Sequence, residues 1–175
     1  KAENVIHIGS FSKSIAPALR VGFIVAPWAV MSRLLALKTD AGSGSLEQMV
    51  LAEYCQPHFT EHVPALRRVL RKKLTTLTDA LAEQFGTVAE FEEPQGGIFL
   101  WVKLPDNVDT MQLYQAALKK GVAINPGPEW STDAAHSKSR MRLCFASPTH
   151  DEIRQGIALL AEVCRKEFGV PTRSG

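Results

Sequence analysis

The chain has 175 residues, 45% hydrophobic and 22% charged, a composition that suits one ordinary folded domain or two small ones. Its 20 basic and 18 acidic residues leave a net charge of +2, too balanced to argue for a nucleic-acid or anionic-membrane partner. The three cysteines, Cys55, Cys144 and Cys164, include no C-x-x-C pair, which argues against a disulfide framework or a thiolate metal site.

A reducing, cytoplasmic compartment fits that cysteine usage, and no metal is expected. No apolar run reaches the ~20 residues that span a bilayer, and the start KAENVIHIGS lacks the layout of a signal peptide. The chain enters an apolar stretch almost at once, which reads as the middle of a domain and marks the chain as a segment of a longer protein.

In chain order, NVIHIG reads as a short buried strand closed by Gly9. SFSKSIAPALRVG follows as a loop, and GFIVA as a second strand. Pro27 suits the first turn of a helix through about Leu37. DAGSGS reads as a hinge-like loop, and Ser45-x-x-Gln48 as a capping box opening a helix to about Cys55. After Pro57 a long helix is predicted, with Leu66, Leu70, Leu74, Leu77, Leu81 and Phe85 on its apolar face. Arg67, Arg68, Arg71, Lys72 and Lys73 read as its solvated face.

From Thr87 the pattern becomes α+β. Strands are predicted at about 88–91, 98–104, 122–125 and 140–146. Helices are predicted at about 109–120 and 149–168, opened by Asp109-x-x-Gln112 and Thr149-x-x-Glu152. Ile153, Ile157, Leu160 and Cys164 share one face of the last helix, and PTRSG reads as a frayed tail. Residues 1–45 thus read as part of an α/β unit, 46–86 as connecting helices and 87–175 as a two-layer α+β domain.

The chemistry concentrates in residues 10–22, S-F-S-K-S-I-A-P-A-L-R-V-G. Three hydroxyls (Ser10, Ser12, Ser14), the Lys13 amine and the Arg20 guanidinium share one loop. A phosphate needs converging donors, and an arginine fork suits it. An aldehyde needs a neutral lysine amine, whereas a free lysine has a pKa of about 10.4 and is a poor nucleophile at neutral pH. On composition alone a polar surface loop with an ordinary lysine accounts for the same residues. A nucleotide phosphate loop does not, because G-x-x-x-x-G-K-[ST] is absent.

A second arginine pattern lies in R-M-R-L-C-F-A, residues 140–146. In a strand, Met141, Leu143 and Phe145 face one way and Arg140, Arg142 and Cys144 the other. By spacing, either arginine could hold a carboxylate.

The loop around Lys13 closely resembles the S-x-S-K-x-x-x-P-x-x-R-x-G signature of fold-type I aminotransferases, with Ser10, Ser12, Lys13, Pro17, Arg20 and Gly22 in register. It is most similar to the branch holding the 2-aminoadipate and kynurenine aminotransferases and the aminotransferase-like domains of MocR-type regulators. Three further segments resemble the same family: P-Q-G-G-I-F-L-W-V at 94–102, whose paired glycines fit a close backbone approach; G-V-A-I-N-P-G at 121–127; and the strand at 140–146, where the Arg-Leu dipeptide selects Arg142 over Arg140.

The resemblance implies an α/β fold, a remnant of the large cofactor-binding domain followed by a small α+β C-terminal domain. It implies pyridoxal 5′-phosphate as cofactor, with Lys13 forming the Schiff base, Ser10, Ser12 and Arg20 at the phosphate, and Arg142 on the substrate α-carboxylate. The implied reaction moves an amino group between an amino acid and a 2-oxo acid, in a homodimer, with no nucleic acid bound by this segment. The family's remaining ring contacts precede the lysine, so the 175 residues alone are expected to be inactive. The alternative is the effector-binding domain of a MocR/GntR-type transcription regulator.

Overall fold

The computed structural model describes residues 4–40 and 42–173. Ala41 of the predicted hinge loop and Ser174 and Gly175 of the predicted tail lie outside them. The chain divides into two compact units, the boundary falling after Arg67.

In the first unit β1 (His7–Ser10) pairs antiparallel with β2 (Gly22–Val25), His7 opposite Val25 and Ser10 opposite Gly22. The strands are where the β-branched runs place them, but the expectation of a buried first strand fails: Ile8 is 73% and Val25 60% exposed. A two-stranded ribbon has no neighbouring strand to cover it, and Ile8, Phe23, Ile24 and Val25 all stay exposed. A short 3-10 turn, Pro17–Leu19, lies between the strands. α1 (Trp28–Leu37) follows, with Pro27 at its N-cap, one position before the first turn.

α2 runs unbroken from Ser45 to Phe85. The predicted break at Pro57 is absent, since Pro57 and Pro64 both lie inside the helix. Each removes one helical hydrogen bond. Flanking runs rich in Leu, Ala, Glu, Arg and Lys favour the helix on either side. The predicted capping box at Ser45 is also absent. Ser45 is already helical, and the Gln48 side chain instead donates to the Ser43 carbonyl at 2.9 Å.

The second unit is a four-stranded antiparallel sheet with helices. After the end of α2 come β3 (Glu90–Phe91), β4 (Phe99–Lys103), α3 (Thr110–Leu118), β5 (Asn125–Pro126), β6 (Arg140–Cys144) and α4 (His150–Phe168). The strand order is β3-β4-β6-β5. The predicted strand at 122–125 shrinks to β5, because Gly121 takes a φ of +81° and the chain turns there. The last strand ends at Cys144.

The core is the one the periodicities point to. Leu74, Leu77, Leu81 and Phe85 of α2 pack with Leu100 and Val102 of β4, Met141 and Leu143 of β6, and Ile153, Ile157 and Leu160 of α4. Cys164 is fully buried there, and that burial pushes its thiol up to about 12, so it behaves as a packing residue. Lys73, read as part of a solvated face, donates to the Ala146 carbonyl at 2.7 Å.

Three local details differ from or sharpen the sequence reading. A Cβ added at Gly96 or Gly97 would meet nothing within 4 Å among the described residues, so no close approach explains the pair; the φ of +86° at Gly97 explains that glycine. The close approach is at Gly127 instead, where a Cβ would collide with the carbonyl oxygens of Ser137 and Arg140. The predicted fraying of the tail fails as far as Arg173, whose N–H donates to the Gln84 carbonyl at 2.8 Å.

Both later helix starts carry the caps read from sequence. Asp109 accepts from the Met111 N–H at 2.9 Å. At α4 the Thr149 hydroxyl accepts from the Glu152 N–H at 3.2 Å, and the Glu152 carboxylate accepts from the Thr149 N–H at 2.6 Å. The Thr149 N–H is the main cause that holds the Glu152 carboxyl below its ordinary 4.5. A depressed folded pKa contributes stability above the ordinary value, and that contribution is lost as pH falls through the folded one.

Three predictions follow from this unit's geometry. In urea unfolding at neutral pH, Thr149→Ala lowers stability by about 1 kcal/mol. The stability difference between Glu152→Gln and the unmodified protein is present at neutral pH and disappears as pH falls below 4.5. Gly127→Ala costs about 1–3 kcal/mol, because backbone rather than a flexible side chain must yield; no change in the urea midpoint would contradict this.

Candidate functional site

The predicted residues fall in two groups, one in each unit. In the first unit Ser10 ends β1, and Ser12, Lys13 and Arg20 lie on the segment between β1 and β2. Phe11 N–H donates to the Val21 carbonyl at 3.1 Å and closes the base of the loop. Residues 12–15 form a turn whose Ile15 and Ala16 N–H groups both donate to the Phe11 carbonyl, at 2.8 and 3.2 Å. The Ser10 hydroxyl accepts from the Ser12 N–H at 3.1 Å. Lys13 and Arg20 are exposed and Ser12 is half-buried.

Arg20 is the one non-glycine residue with positive φ among the described residues, at 52°. Such a backbone costs about 1–3 kcal/mol where a side chain must be held in a set direction. Arg20 Nη1 donates to the Pro17 carbonyl at 3.1 Å, which leaves its other N–H donors for a ligand. Hydroxyls, a fork of guanidinium donors and an exposed amine on one closed loop form a donor set that fits a phosphorylated aldehyde. Gly22 lies two residues after Arg20, and a Cβ there would come within 3.0 Å of the Gly9 carbonyl oxygen.

In the second unit β6 alternates as read from sequence: Met141 and Leu143 are buried, and Arg140 and Arg142 are half-buried on the other face. β6 lies between two partners, with Trp101 of β4 and Asn125 of β5 both opposite Arg142. Asn125 Nδ2 donates to the Arg142 carbonyl at 3.4 Å. The guanidinium carbon lies 3.3 Å from the centre of the Trp130 ring and 3.9 Å from that of Phe99. Arg142 Nε is buried and has no hydrogen-bond partner among the described residues. Arg140 differs, because its Nη1 donates to the His136 carbonyl at 2.7 Å.

A buried orphan donor on a charged group costs about 1–3 kcal/mol or more, a cost that an incoming acceptor would remove. Flat, planar and flanked by rings, Arg142 is arranged to take a planar anion side-on. Trp130 and Phe99 were missed by sequence reasoning. Phe99 had a signal, since its strand parity sets it on the face opposite Leu100; Trp130 had only the aromatic after a Pro-Gly turn. The turn Gly127–Trp130 is a 3-10 helix that delivers the ring.

The family described as aminotransferase class I and II matches residues 1–160. The chain is 36% identical over 160 residues to the uncharacterized HTH-type transcriptional regulator YdfD of Bacillus subtilis, spanning 90% of this chain and 33% of that protein. It is 31% identical over 163 residues to the 2-aminoadipate transaminase of Thermus thermophilus, spanning 92% of this chain and 41% of that one. The crystal structure of the α-aminoadipate aminotransferase LysN from Thermus thermophilus, complexed with N-(5′-phosphopyridoxyl)-L-leucine, superposes with a TM-score of 0.88 at 29% identity. That match covers 97% of this chain and 44% of LysN.

The chain thus spans 33–41% of the length of these two curated relatives. No helix among the described residues is long and apolar enough to cross a membrane. The fold is the α/β fold of the aminotransferases, represented in part, and the resemblance read from the Lys13 loop is borne out at the level of the family. The chain belongs to the class I and II aminotransferases.

Proposed function

We propose that this chain is the C-terminal part of a pyridoxal 5′-phosphate-dependent transaminase that moves an amino group between an amino acid and a 2-oxo acid. On this reading Lys13 carries the cofactor, Ser10, Ser12 and Arg20 hold its phosphate, and Arg142 takes the substrate α-carboxylate. Residues 1–45 belong to a larger cofactor-binding domain, 46–86 connect, and 87–175 form the small domain. The observation that carries the reading is the Arg142 guanidinium, set over the Phe99 and Trp130 rings with a buried Nε that lacks an acceptor among the described residues. Its setting suits a small carboxylate ligand.

The residues have separable tasks. Arg142 offers two parallel N–H donors to a carboxylate, and the two rings restrict its rotation before substrate arrives, so less entropy is lost on binding. The rings also exclude water from one side, which strengthens the charged hydrogen bonds. Lys13 Nζ, when neutral, is the base in this chain for the substrate α-proton. The bound cofactor would supply the electron sink that stabilises the resulting negative charge. The activity is assigned to a full-length homodimer; the 175 residues alone bind the cofactor weakly and do not transaminate.

A second reading has one specific support, the similarity to the transcriptional regulator YdfD. On it, the same lysine and arginine hold the cofactor and an effector amino acid in a MocR/GntR-type regulator. An N-terminal winged-helix segment and sequence-specific DNA binding by the full-length protein would select it.

Borohydride reduction of the full-length protein loaded with cofactor, followed by peptide mapping, places the adduct on Lys13; an adduct elsewhere overturns the assignment. Arg142→Lys keeps the charge but not the fork, and lowers kcat/KM for the amino acid by one to two orders of magnitude, about 1.5–3 kcal/mol. Trp130→Ala removes one stacked ring at a half-exposed position and raises KM roughly two- to fivefold with kcat little changed. Unchanged steady-state kinetics in both variants would remove Arg142 from the carboxylate site.

A further inference from the structure

The turn that carries Lys13 has a partner on α2. The Ser14 carbonyl oxygen lies 2.7 Å from His62 Nε2. A carbonyl oxygen can only accept, so Nε2 carries the proton. In the neutral ring Nδ1 is then the acceptor, and the Tyr54 hydroxyl lies 2.9 Å from it. The Tyr54 ring also meets His62 edge-on at 5.7 Å between centres. Tyr54 and His62 are eight residues apart on α2, and the contact between them is made within that one helix. His62 is half-buried, and the hydrogen bond spans 48 residues of sequence.

The Ser14 carbonyl lies in the Ser14–Ile15 peptide, one residue past Lys13 and within the same turn over residues 12–15, so fixing it limits the path of the turn that carries the Lys13 Cα. A lysine side chain is long and flexible, and its amine covers a small volume only if its Cα is held. The turn's own bonds to the Phe11 carbonyl close it but do not tie it to a neighbouring element. The His62 contact does.

We infer that His62, oriented by Tyr54, is a positioning residue for Lys13, anchoring the Ser14 carbonyl and so setting where the Lys13 amine is presented. This rests on the assignment of Lys13 as the cofactor lysine and adds two helix residues that support it from behind.

The test uses the full-length protein titrated with pyridoxal 5′-phosphate by absorbance, with hydrogen exchange read on the peptide covering residues 11–19. His62→Leu fills the space without a donor, and His62→Gln offers an amide N–H with similar reach. Expected for His62→Leu are a roughly tenfold weaker cofactor Kd and faster exchange in that peptide. His62→Gln restores both to within about threefold of the unmodified protein. Should His62→Leu fail to fold, His62→Met, of similar length and also without a donor, takes its place.

Unchanged Kd and exchange in the donor-less variant, or a His62→Gln no better than it, overturns the inference. Borohydride mapping separates the two ideas. An unmodified protein trapped away from Lys13 overturns the Lys13 assignment and this inference with it. Trapping at Lys13 together with an indifferent His62→Leu overturns this inference alone.

Discussion

A strand sends successive side chains to opposite faces, and β6 obeys that rule under constraint from both sides. Met141 is fully buried and Leu143 nearly so, which forces Arg142 onto the other face. A slip of one residue would drive two arginines into an apolar core, at a cost no hydrogen bond within it could offset. β4 and β5 pair with β6 on its two edges and lock that register. The position of the guanidinium is therefore a by-product of how the core of the second unit packs.

What surrounds Arg142 depends on a different kind of constraint. Gly127 sits where only a hydrogen fits, against the Ser137 and Arg140 carbonyls, and this lets the Pro-Gly turn fold back onto the sheet. The turn carries Trp130 over the guanidinium, while Phe99 reaches it from β4. The first unit uses shorter-range means. Its loop is closed by backbone bonds to Phe11, with a strained Arg20 at the end of a 3-10 turn.

Much of this was legible in sequence where one period governed. The alternation at 140–145, the apolar rhythm from Leu70 to Phe85 and the Thr149/Glu152 cap all appear as read, because each is set by neighbours a few residues away. Spacing could not separate Arg140 from Arg142. Their difference lies in contacts with His136 and Trp130, made by a loop whose path depends on a glycine against backbone. The His62 contact with Ser14 had no local signal. Pro57 misled because a rule about one missing hydrogen bond was outweighed by the helix formers on each side. The exposure of Ile8 was hidden because a β-branched run reads the same in a wide sheet and in a two-stranded ribbon.

The two prolines of α2 are seven residues apart, about two turns, and so lie nearly above one another on the same side of the helix. Each leaves unbonded the carbonyl four residues before it, those of Glu53 and Thr60. Two gaps on one side give α2 a preferred bending direction, since a kink at one adds to a kink at the other. Both missing backbone donors thus fall in the first half of the helix, and the half from Leu66 onward contains no proline. Tyr54 and His62 stand within that first half. The imidazole that holds the Ser14 carbonyl therefore sits where α2 has lost two of its own backbone donors, so its placement depends on side-chain contacts as well as on the helix ladder.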